Sequence, residues 1–152
     1  MKNRLTTILA SFFYLGYSPF APGTMGTIGA IPLYYLMIYF LTNVQYVFVT
    51  IFLILFGIFI SFKAIAIYKN DDPKEIVIDE VVGYLVAMAF ITPTALNIIL
   101  GFFLFRIFDI VKPFPARQLE NLKGGYGVVM DDVAAGIWAN LVLIAVNSYI
   151  IK

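Results

Sequence analysis

The sequence contains no cysteine and no histidine. Without cysteine there can be no disulfide bond and no thiol nucleophile, and a structural zinc site loses its usual ligands. Without histidine there is no imidazole base and no phosphohistidine intermediate. Any hydrolytic chemistry in this chain must therefore use carboxylates, hydroxyls, lysine, arginine, tyrosine or a bound metal ion.

Charge is also scarce. Only 12% of the 152 residues are charged, whereas about 25% is usual, and 62% are hydrophobic, against roughly 45–50% in a soluble protein. A small soluble domain with this composition would lack the polar residues to cover its surface, but a bilayer is an apolar solvent. The net charge of +1 provides no basic patch for nucleic acid. The length suits one domain, so we predict a single membrane domain over residues 1–152.

Long apolar runs predict the membrane helices. Val44 to Phe62 would extend about 28 Å as a helix, close to the thickness of the hydrocarbon core, and is the clearest span. Thr27 to Leu41 is a second predicted span, joined to the first by the short uncharged link Thr42–Asn43 in a helical hairpin. Val133 to Ile151 is the last span. Leu5 to Tyr17 is too short to cross and is predicted to be a retained interfacial or re-entrant helix, not a cleaved signal.

The apolar run from Val81 to Phe105 allows two topologies. One tilted helix could cross the membrane once. Alternatively Pro93 marks a turn, with helices from about Lys74 to Ile91 and from about Ala95 to Lys112. The hairpin is favoured because it places all nine acidic residues and nearly all lysines and arginines on one side, which the positive-inside rule makes cytoplasmic. The predicted fold is therefore an all-α, multi-pass helical membrane protein of helical hairpins, with a polar catalytic face at one membrane side.

Polar residues concentrate in four segments, of which the first contains Thr24 and Thr27. It has two prolines and two glycines and leads into a helix, so that free backbone N–H groups would face an anion. A plain loop with Thr24 or Thr27 as the N-cap is the alternative interpretation. We predict that Thr24 contacts substrate.

The second segment combines a helix start with two unexplained carboxylates. Asp72 suits the N-cap and Pro73 the first helical position. Asp79 and Glu80, however, lie directly against an apolar run, where an unpaired carboxylate is costly. Glu75 would share a helix face with Asp79, four residues further on. We therefore expect a metal ion or a basic partner at Asp79 and Glu80.

The third segment carries Arg106, Asp109 and Lys112 at three-residue steps, which places them along one helical stripe, and Pro113 would end this helix. The stripe could be a solvated surface with an Arg106–Asp109 pair of little energetic value. It could equally be a phosphate-binding pair beside a metal-binding carboxylate.

The fourth segment opens the last span with Lys123, three glycines and the pair Asp131 and Asp132. Paired aspartates before a helix are usually N-caps, but only one can be the cap, so the other would be available for a cation. The glycines would let the chain approach a lipid head group.

In this order, the four segments resemble the phosphatidylglycerophosphatase A family. The matching strings are SPFAPGTMGT, DPKEIVIDEVVGY, FRIFDIVKPFP and KGGYGVVMDDVAAG, and the resemblance extends from Gly16 to Trp138. It implies an all-helical, magnesium-dependent enzyme of the bacterial inner membrane with its active site on the cytoplasmic side. Its substrate would be the phospholipid phosphatidylglycerophosphate, from which it would remove the terminal phosphate to leave phosphatidylglycerol.

The residue types and the resemblance together give a set of candidate site residues. The predicted catalytic residues are Asp79, Glu80, Asp109, Asp131 and Asp132. Mg²⁺ would be held by Asp79, Glu80, Asp109 and Asp132, because it prefers oxygen ligands. Substrate would be bound by Thr24, Arg106, Lys112 and Lys123. Attack by water is favoured over attack by an aspartate, because the Asp-x-Asp signature of aspartyl-phosphate enzymes is absent.

Two other functions remain open. One is another head-group enzyme of phospholipid metabolism. The other is an ion- or proton-coupled carrier that uses intramembrane carboxylates. A carrier would need acidic residues in the middle of its spans, and the predicted spans contain none.

Overall fold

The computed structural model describes residues 2–70 and 73–149, so the predicted N-cap Asp72 lies outside the described residues. All regular structure in the described part is helical, which confirms the all-α prediction. The helices are α1 (Lys2–Ala10), α2 (Pro22–Phe40), α3 (Asn43–Tyr68), α4 (Ile78–Ala87), α5 (Ala95–Val111), α6 (Ala116–Leu119) and α7 (Gly125–Tyr149), with one 3-10 turn at Leu15–Tyr17.

Two helices, α3 and α7, are long enough and apolar enough to cross a membrane. They contain the predicted span 44–62 and the described part of the predicted span 133–151. Only 33% of the most apolar stretch of α3 is buried, and large side chains such as Phe48, Phe52 and Leu55 point outward. An exposed apolar helix of this length is what a lipid-facing span presents. The third predicted span, 27–41, lies almost wholly within α2.

The apolar run 81–105 is divided between two helices. Helix α4 ends at Ala87, Phe90 takes a positive φ of 62°, and α5 starts after Thr94, whose hydroxyl accepts the N–H of Asn97 at 3.1 Å. The two-helix alternative is therefore the one that the structure adopts. The predicted second helix, 95–112, matches α5 to within one residue.

Helix α4 starts later than its sequence suggests, at Ile78 instead of near Lys74. The reason is tertiary, because the N–H of Val77 donates to the carbonyl of Ala10 at 2.9 Å and ties the preceding chain to α1. Glu75 consequently lies outside α4, and the prediction that it shares a helical face with Asp79 is wrong.

The predicted helix 5–17 is also interrupted. Helix α1 ends at Ala10, and three successive residues, Phe12, Phe13 and Tyr14, have positive φ angles. Ser11 fixes this reversal, since its hydroxyl donates to the carbonyl of Thr7 at 2.7 Å and accepts the N–H of Tyr14 at 3.1 Å.

Three buried tyrosines join the helices around α4. Tyr34 of α2 meets Tyr46 of α3 and Tyr84 of α4 edge to face, with ring centroids 6.2 and 6.4 Å apart. Phe105 of α5 and Leu143 of α7 are completely buried in the same cluster. Helix α4 is thus enclosed by four neighbouring helices, and this enclosure holds its first turn in place.

Candidate active site

A polar cavity of about 860 Å³ opens where several helix ends meet. It is lined by the first residues of α2 and α4, the last two turns of α5 with the residue that follows it, and the first two turns of α7. The segments that precede α4 and α7 complete the lining. Of the nine predicted site residues, all of them described, eight line this cavity: Asp79, Glu80, Arg106, Asp109, Lys112, Lys123, Asp131 and Asp132. The ninth, Thr24, lies in the first turn of α2, half-buried and outside the cavity lining.

Three of the carboxylates form a compact group. Asp79 and Glu80 in the first turn of α4 and Asp132 in α7 each offer an oxygen, and these oxygens all lie within 4.8 Å of one another. One oxygen of each (Oδ1, Oε2 and Oδ2, respectively) is buried without a hydrogen-bond partner among the described residues. Carboxylates this close repel one another and would be costly to bury unpaired. A hard divalent cation takes such oxygen ligands, so these residues fit a metal ion.

The electrostatics of α4 agree with that fit. Burial, followed by the nearby charges of Glu80 and Asp132, raises the pKa of Asp79 well above its ordinary value. Burial also raises the pKa of Glu80, although a hydrogen bond with Asp79 and the charge of Arg106 act in the opposite direction. A bound cation would compete with protons for these oxygens and favour the ionised carboxylates.

Arg106 and Asp109 face the cavity as an ion pair. Nη1 of Arg106 lies 2.6 Å from Oδ2 of Asp109 and 3.9 Å from Oε1 of Glu80. The two paired side chains are only 18% and 15% exposed, so they do not form a solvated surface stripe. Asp109 also lies beside Asp132, but outside the group of three carboxylates. The guanidinium is therefore placed next to the carboxylate group.

Lys112, predicted to contact phosphate, is engaged by two carboxylates. Its Nζ lies 2.6 Å from Oε1 of Glu120 and 2.8 Å from Oδ2 of Asp131. The other oxygen of Asp131 accepts the N–H of Asp132 at 3.0 Å. Burial lowers the pKa of Lys112, but these two carboxylates more than offset it and raise the pKa above its ordinary value. Lys112 thus holds Asp131, while Oδ2 of Asp132 has no hydrogen-bond partner in the described part of the chain.

The prediction that Asp131 or Asp132 caps the last helix is wrong. Helix α7 already begins at Gly125, so both aspartates lie well inside it. Gly124 has a φ of 64°, and a side chain at Gly124 or Gly125 would collide with Phe62 of α3. These two glycines therefore allow close packing of α7 on α3. Gly124 also lines the cavity, and the approach of a lipid head group to the glycines stays a prediction.

Sequence reasoning missed Gly23 as a site residue. Helix α2 begins at Pro22 after Ala21, which has a φ of 43°, and all three residues line the cavity. A side chain on Gly23 would overlap the carboxylate of Glu80 and approach Nη1 of Arg106 to 3.2 Å. The absence of a side chain at Gly23 therefore makes room for the Glu80 carboxylate. Lys74 and Glu120 also line the cavity and were not predicted to do so.

The fold and the cavity together define a class of protein. It is an all-helical protein with two helices suited to a membrane and a carboxylate-rich cavity suited to a divalent cation. The chain belongs to the phosphatidylglycerophosphatase A family, whose model matches residues 8–147. The family resemblance seen in the sequence is therefore confirmed.

Three relatives show how far the similarity extends. A protein of Bacteroides thetaiotaomicron described as "Putative phosphatidylinositol-3-phosphatase" is 36% identical over 97% of this chain and 96% of its own. Phosphatidylglycerophosphatase A of Escherichia coli is 38% identical over 86% of this chain and 76% of its own. The enzyme of the same name from Haemophilus influenzae is 35% identical over 95% of this chain and 90% of its own. No solved structure matches the chain significantly.

Proposed function

We propose that this protein hydrolyses the terminal phosphomonoester of phosphatidylglycerophosphate, giving phosphatidylglycerol and inorganic phosphate, with Mg²⁺ as the cofactor. The observation that carries the proposal is the group of Asp79, Glu80 and Asp132 in a polar cavity beside Arg106. Each has one oxygen without a hydrogen-bond partner among residues 2–70 and 73–149. Two of the three relatives carry the name of this activity.

The three carboxylates would hold the cation, and Asp109 remains a predicted fourth ligand. A bound Mg²⁺ polarises a phosphoryl oxygen and lowers the pKa of a water molecule. The cavity already contains the cationic groups that a phosphate dianion needs. Arg106 offers a guanidinium next to the carboxylate group, where a bidentate contact to phosphate is favoured. Lys123 lies exposed on the cavity lining and adds a second positive charge for the head group.

The reaction is a displacement at phosphorus in which water forms the new P–O bond and the bond to the glycerol oxygen breaks. One proton leaves the attacking water and one reaches the departing alkoxide. Asp109 lies beside Asp132 at the edge of the carboxylate group, and in the proposed reaction it would accept the first proton. Asp131 is held by Lys112 and by the N–H of Asp132, so its role is to position Asp132.

Phosphatidylinositol 3-phosphate is the second candidate substrate. The relative from Bacteroides thetaiotaomicron that is described with this activity aligns with 97% of the present chain. Both lipids present a phosphomonoester on a polyol head group, which the polar cavity would receive in either case. Substrate choice would then depend on the polar residues around the head group and not on the carboxylate group.

We further propose that the chain crosses the bacterial inner membrane several times, with the cavity at the cytoplasmic side. The α4–α5 hairpin supports this topology, because it brings Asp79 and Asp109 to the same end of the molecule. One observation also supports the alternative function of an ion- or proton-coupled carrier. Asp131 and Asp132 lie within a helix that could span the membrane. Their position in its first third, open to a polar cavity, favours the enzyme.

The decisive experiment measures phosphate release by the purified protein in detergent. With Mg²⁺ we expect hydrolysis of phosphatidylglycerophosphate, its loss on addition of a chelator, and slower hydrolysis of phosphatidylinositol 3-phosphate. Asp79→Asn and Asp132→Asn should each reduce kcat/KM by about 100-fold or more, because each removes charge from the carboxylate group. Mg²⁺ should also raise the melting temperature of the wild type and not of these variants.

Glu75→Gln is the matched control. Glu75 is a half-buried acidic residue near the start of α4 that does not line the cavity, so its variant should retain wild-type activity and metal response. Hydrolysis that survives both the chelator and the aspartate substitutions would contradict the proposed mechanism. Faster hydrolysis of the inositol lipid would assign the second substrate. Release of phosphate from neither lipid would return the choice to a carrier or another head-group enzyme.

A further inference from the structure

Helices α4 and α7 together carry the three carboxylates Asp79, Glu80 and Asp132. Over two turns, residues at four-residue steps on one helix lie beside residues at the same steps on the other. Asp79, Gly83 and Ala87 recur at four-residue steps on α4, and their neighbours on α7 are Asp132, Gly136 and Asn140, at the same steps. Residues four apart share one face of a helix. The two helices therefore run parallel, with the carboxylates at one end of the contact and Asn140 at the other.

The middle of this contact is a close approach of two glycines. A side chain on Gly83 would lie 2.8 Å from the carbonyl oxygen of Asp132, and one on Gly136 would collide with the carbonyl oxygen of Gly83. Small residues let helix backbones approach closely, but they provide no directional contact that fixes how one helix is placed along the other. A directional contact between α4 and α7 must therefore come from another part of their interface.

Asn140 supplies that directional contact. Its Nδ2 donates to the carbonyl oxygen of Ala87 at 2.9 Å and to that of Ala89 at 2.8 Å. Ala87 is the last residue of α4, so its carbonyl has no partner from a following helical turn and needs one from elsewhere. An amide group that donates to two carbonyls of one chain end is sensitive to displacement of that end.

We propose that Asn140 is a positioning residue for the active site, because it sets the register of α4 against α7 and thereby the separation of Asp79 and Glu80 from Asp132. A slip of one residue would move the carboxylates of α4 by about 1.5 Å along the helix axis and turn them by about 100°. Either change would break up a group whose oxygens lie within 4.8 Å of one another. The register itself is independent of the proposed function, but its consequence for metal binding rests on it.

Asn140→Leu tests the proposal, since leucine keeps the size of the side chain and removes both donors. In the purified protein we expect the half-saturating Mg²⁺ concentration, measured by activity and by thermal protection, to rise about ten-fold. Asn140→Ser keeps one hydroxyl donor and should give a smaller rise, and it also serves if the leucine variant does not fold.

Asn147→Leu is the matched control. Asn147 lies on the same helix and exchanges hydrogen bonds of 2.9 and 3.0 Å with Asn97, near the start of α5. Its loss should lower the melting temperature without changing the half-saturating Mg²⁺ concentration. Equal Mg²⁺ responses of Asn140→Leu and Asn147→Leu, or no change in either, would overturn the proposal.

A second measurement needs neither metal nor activity. The chain contains no cysteine, so Asp79→Cys combined with Asp132→Cys provides one thiol pair whose rate of disulfide formation reports the register of α4. Adding Asn140→Leu should slow this cross-link about ten-fold, and adding Asn147→Leu should leave it unchanged. An unchanged rate with Asn140→Leu would refute the register role. A wild-type protein without any Mg²⁺ response would instead refute the proposed cofactor and leave the cross-link to decide.

Discussion

At the scale of single residues, partners distinguish acidic side chains that look alike in the sequence. Asp131 and Asp132 are adjacent, yet Lys112 and a backbone N–H satisfy the first, whereas the second joins the carboxylate group. Sequence patterns identified both as chemically important. These patterns could not show which aspartate has which partner, because that depends on where α7 begins. The helix begins at Gly125, although glycine, which also occurs at Gly127, usually disfavours a helix.

Gly23 provides a prediction at this scale. Gly23→Ala would force the Glu80 carboxylate away from its present position, since the added methyl group would overlap it. We expect kcat/KM to fall about 10- to 100-fold and the half-saturating Mg²⁺ concentration to rise, as in the loss of a residue that orients a metal ligand. Phosphate release as a function of Mg²⁺ concentration measures both.

The control for Gly23→Ala is the same substitution at Gly57 of α3. A side chain there would meet its nearest neighbours at an ordinary contact distance of 3.8 Å. Gly57→Ala should leave the Mg²⁺ response unchanged and stabilise the protein by about 0.4–1 kcal/mol. If both glycine variants behave alike in the Mg²⁺ titration, Gly23 has no particular connection to the site.

At the scale of helices, the boundaries that local signals determine were predictable. Helix α3 starts after Thr42, which forms a capping box with Gln45, and α5 ends just before Lys112 and Pro113. The boundaries set by tertiary contacts were not predictable. The start of α4 depends on a bond from Val77 to α1, which no local pattern encodes.

The unwound segment 88–94 shows the same dependence on neighbours. Carbonyl groups at and beyond the end of α4 are satisfied by side chains from other helices: Tyr46 donates to Leu85 at 2.7 Å, and Tyr34 donates to Ile91 at 3.0 Å. Irregular backbone that is buried in protein needs partners for its polar groups. These tyrosines therefore permit α4 to end inside the bundle.

Tyr46→Phe tests this explanation. The substitution removes one hydroxyl and leaves the carbonyl of Leu85 without its side-chain donor, in a site where Tyr46 is only 5% exposed. We expect the free energy of unfolding in detergent to fall by about 1–3 kcal/mol. Tyr39→Phe, at a side chain that is 81% exposed, should change it by less than about 0.5 kcal/mol. Equal stability of the two variants would show that the Tyr46 hydroxyl has no such role.

At the scale of the whole molecule, charge and hydrophobicity are separated along the helices. The cavity with its acidic and basic residues lies where α4 begins and α5 ends, while the link between α2 and α3 and the turn 88–94 lie at the opposite helix ends. The sequence predicted this separation from a single turn at Pro93. Only a hairpin there could bring the segment with Asp79 and the segment with Asp109 to the same side. The sequence could not predict the cavity itself, which needs four helices, α2, α4, α5 and α7, to be packed correctly.

This separation predicts the membrane topology, and the cysteine-free chain makes the test direct. Single cysteines at Glu75 and Gln118, near the cavity, should react with a membrane-impermeant thiol reagent from the cytoplasmic side of oriented vesicles. A cysteine at Asn43, at the exposed start of α3, should react only from the other side. The physical reason is that the charged groups around the cavity cannot enter the hydrocarbon core, whereas the uncharged link before α3 can cross during insertion. Labelling of Glu75 and Gln118 from opposite sides would contradict the hairpin topology, and labelling of all three from one side would exclude the α2–α3 crossing.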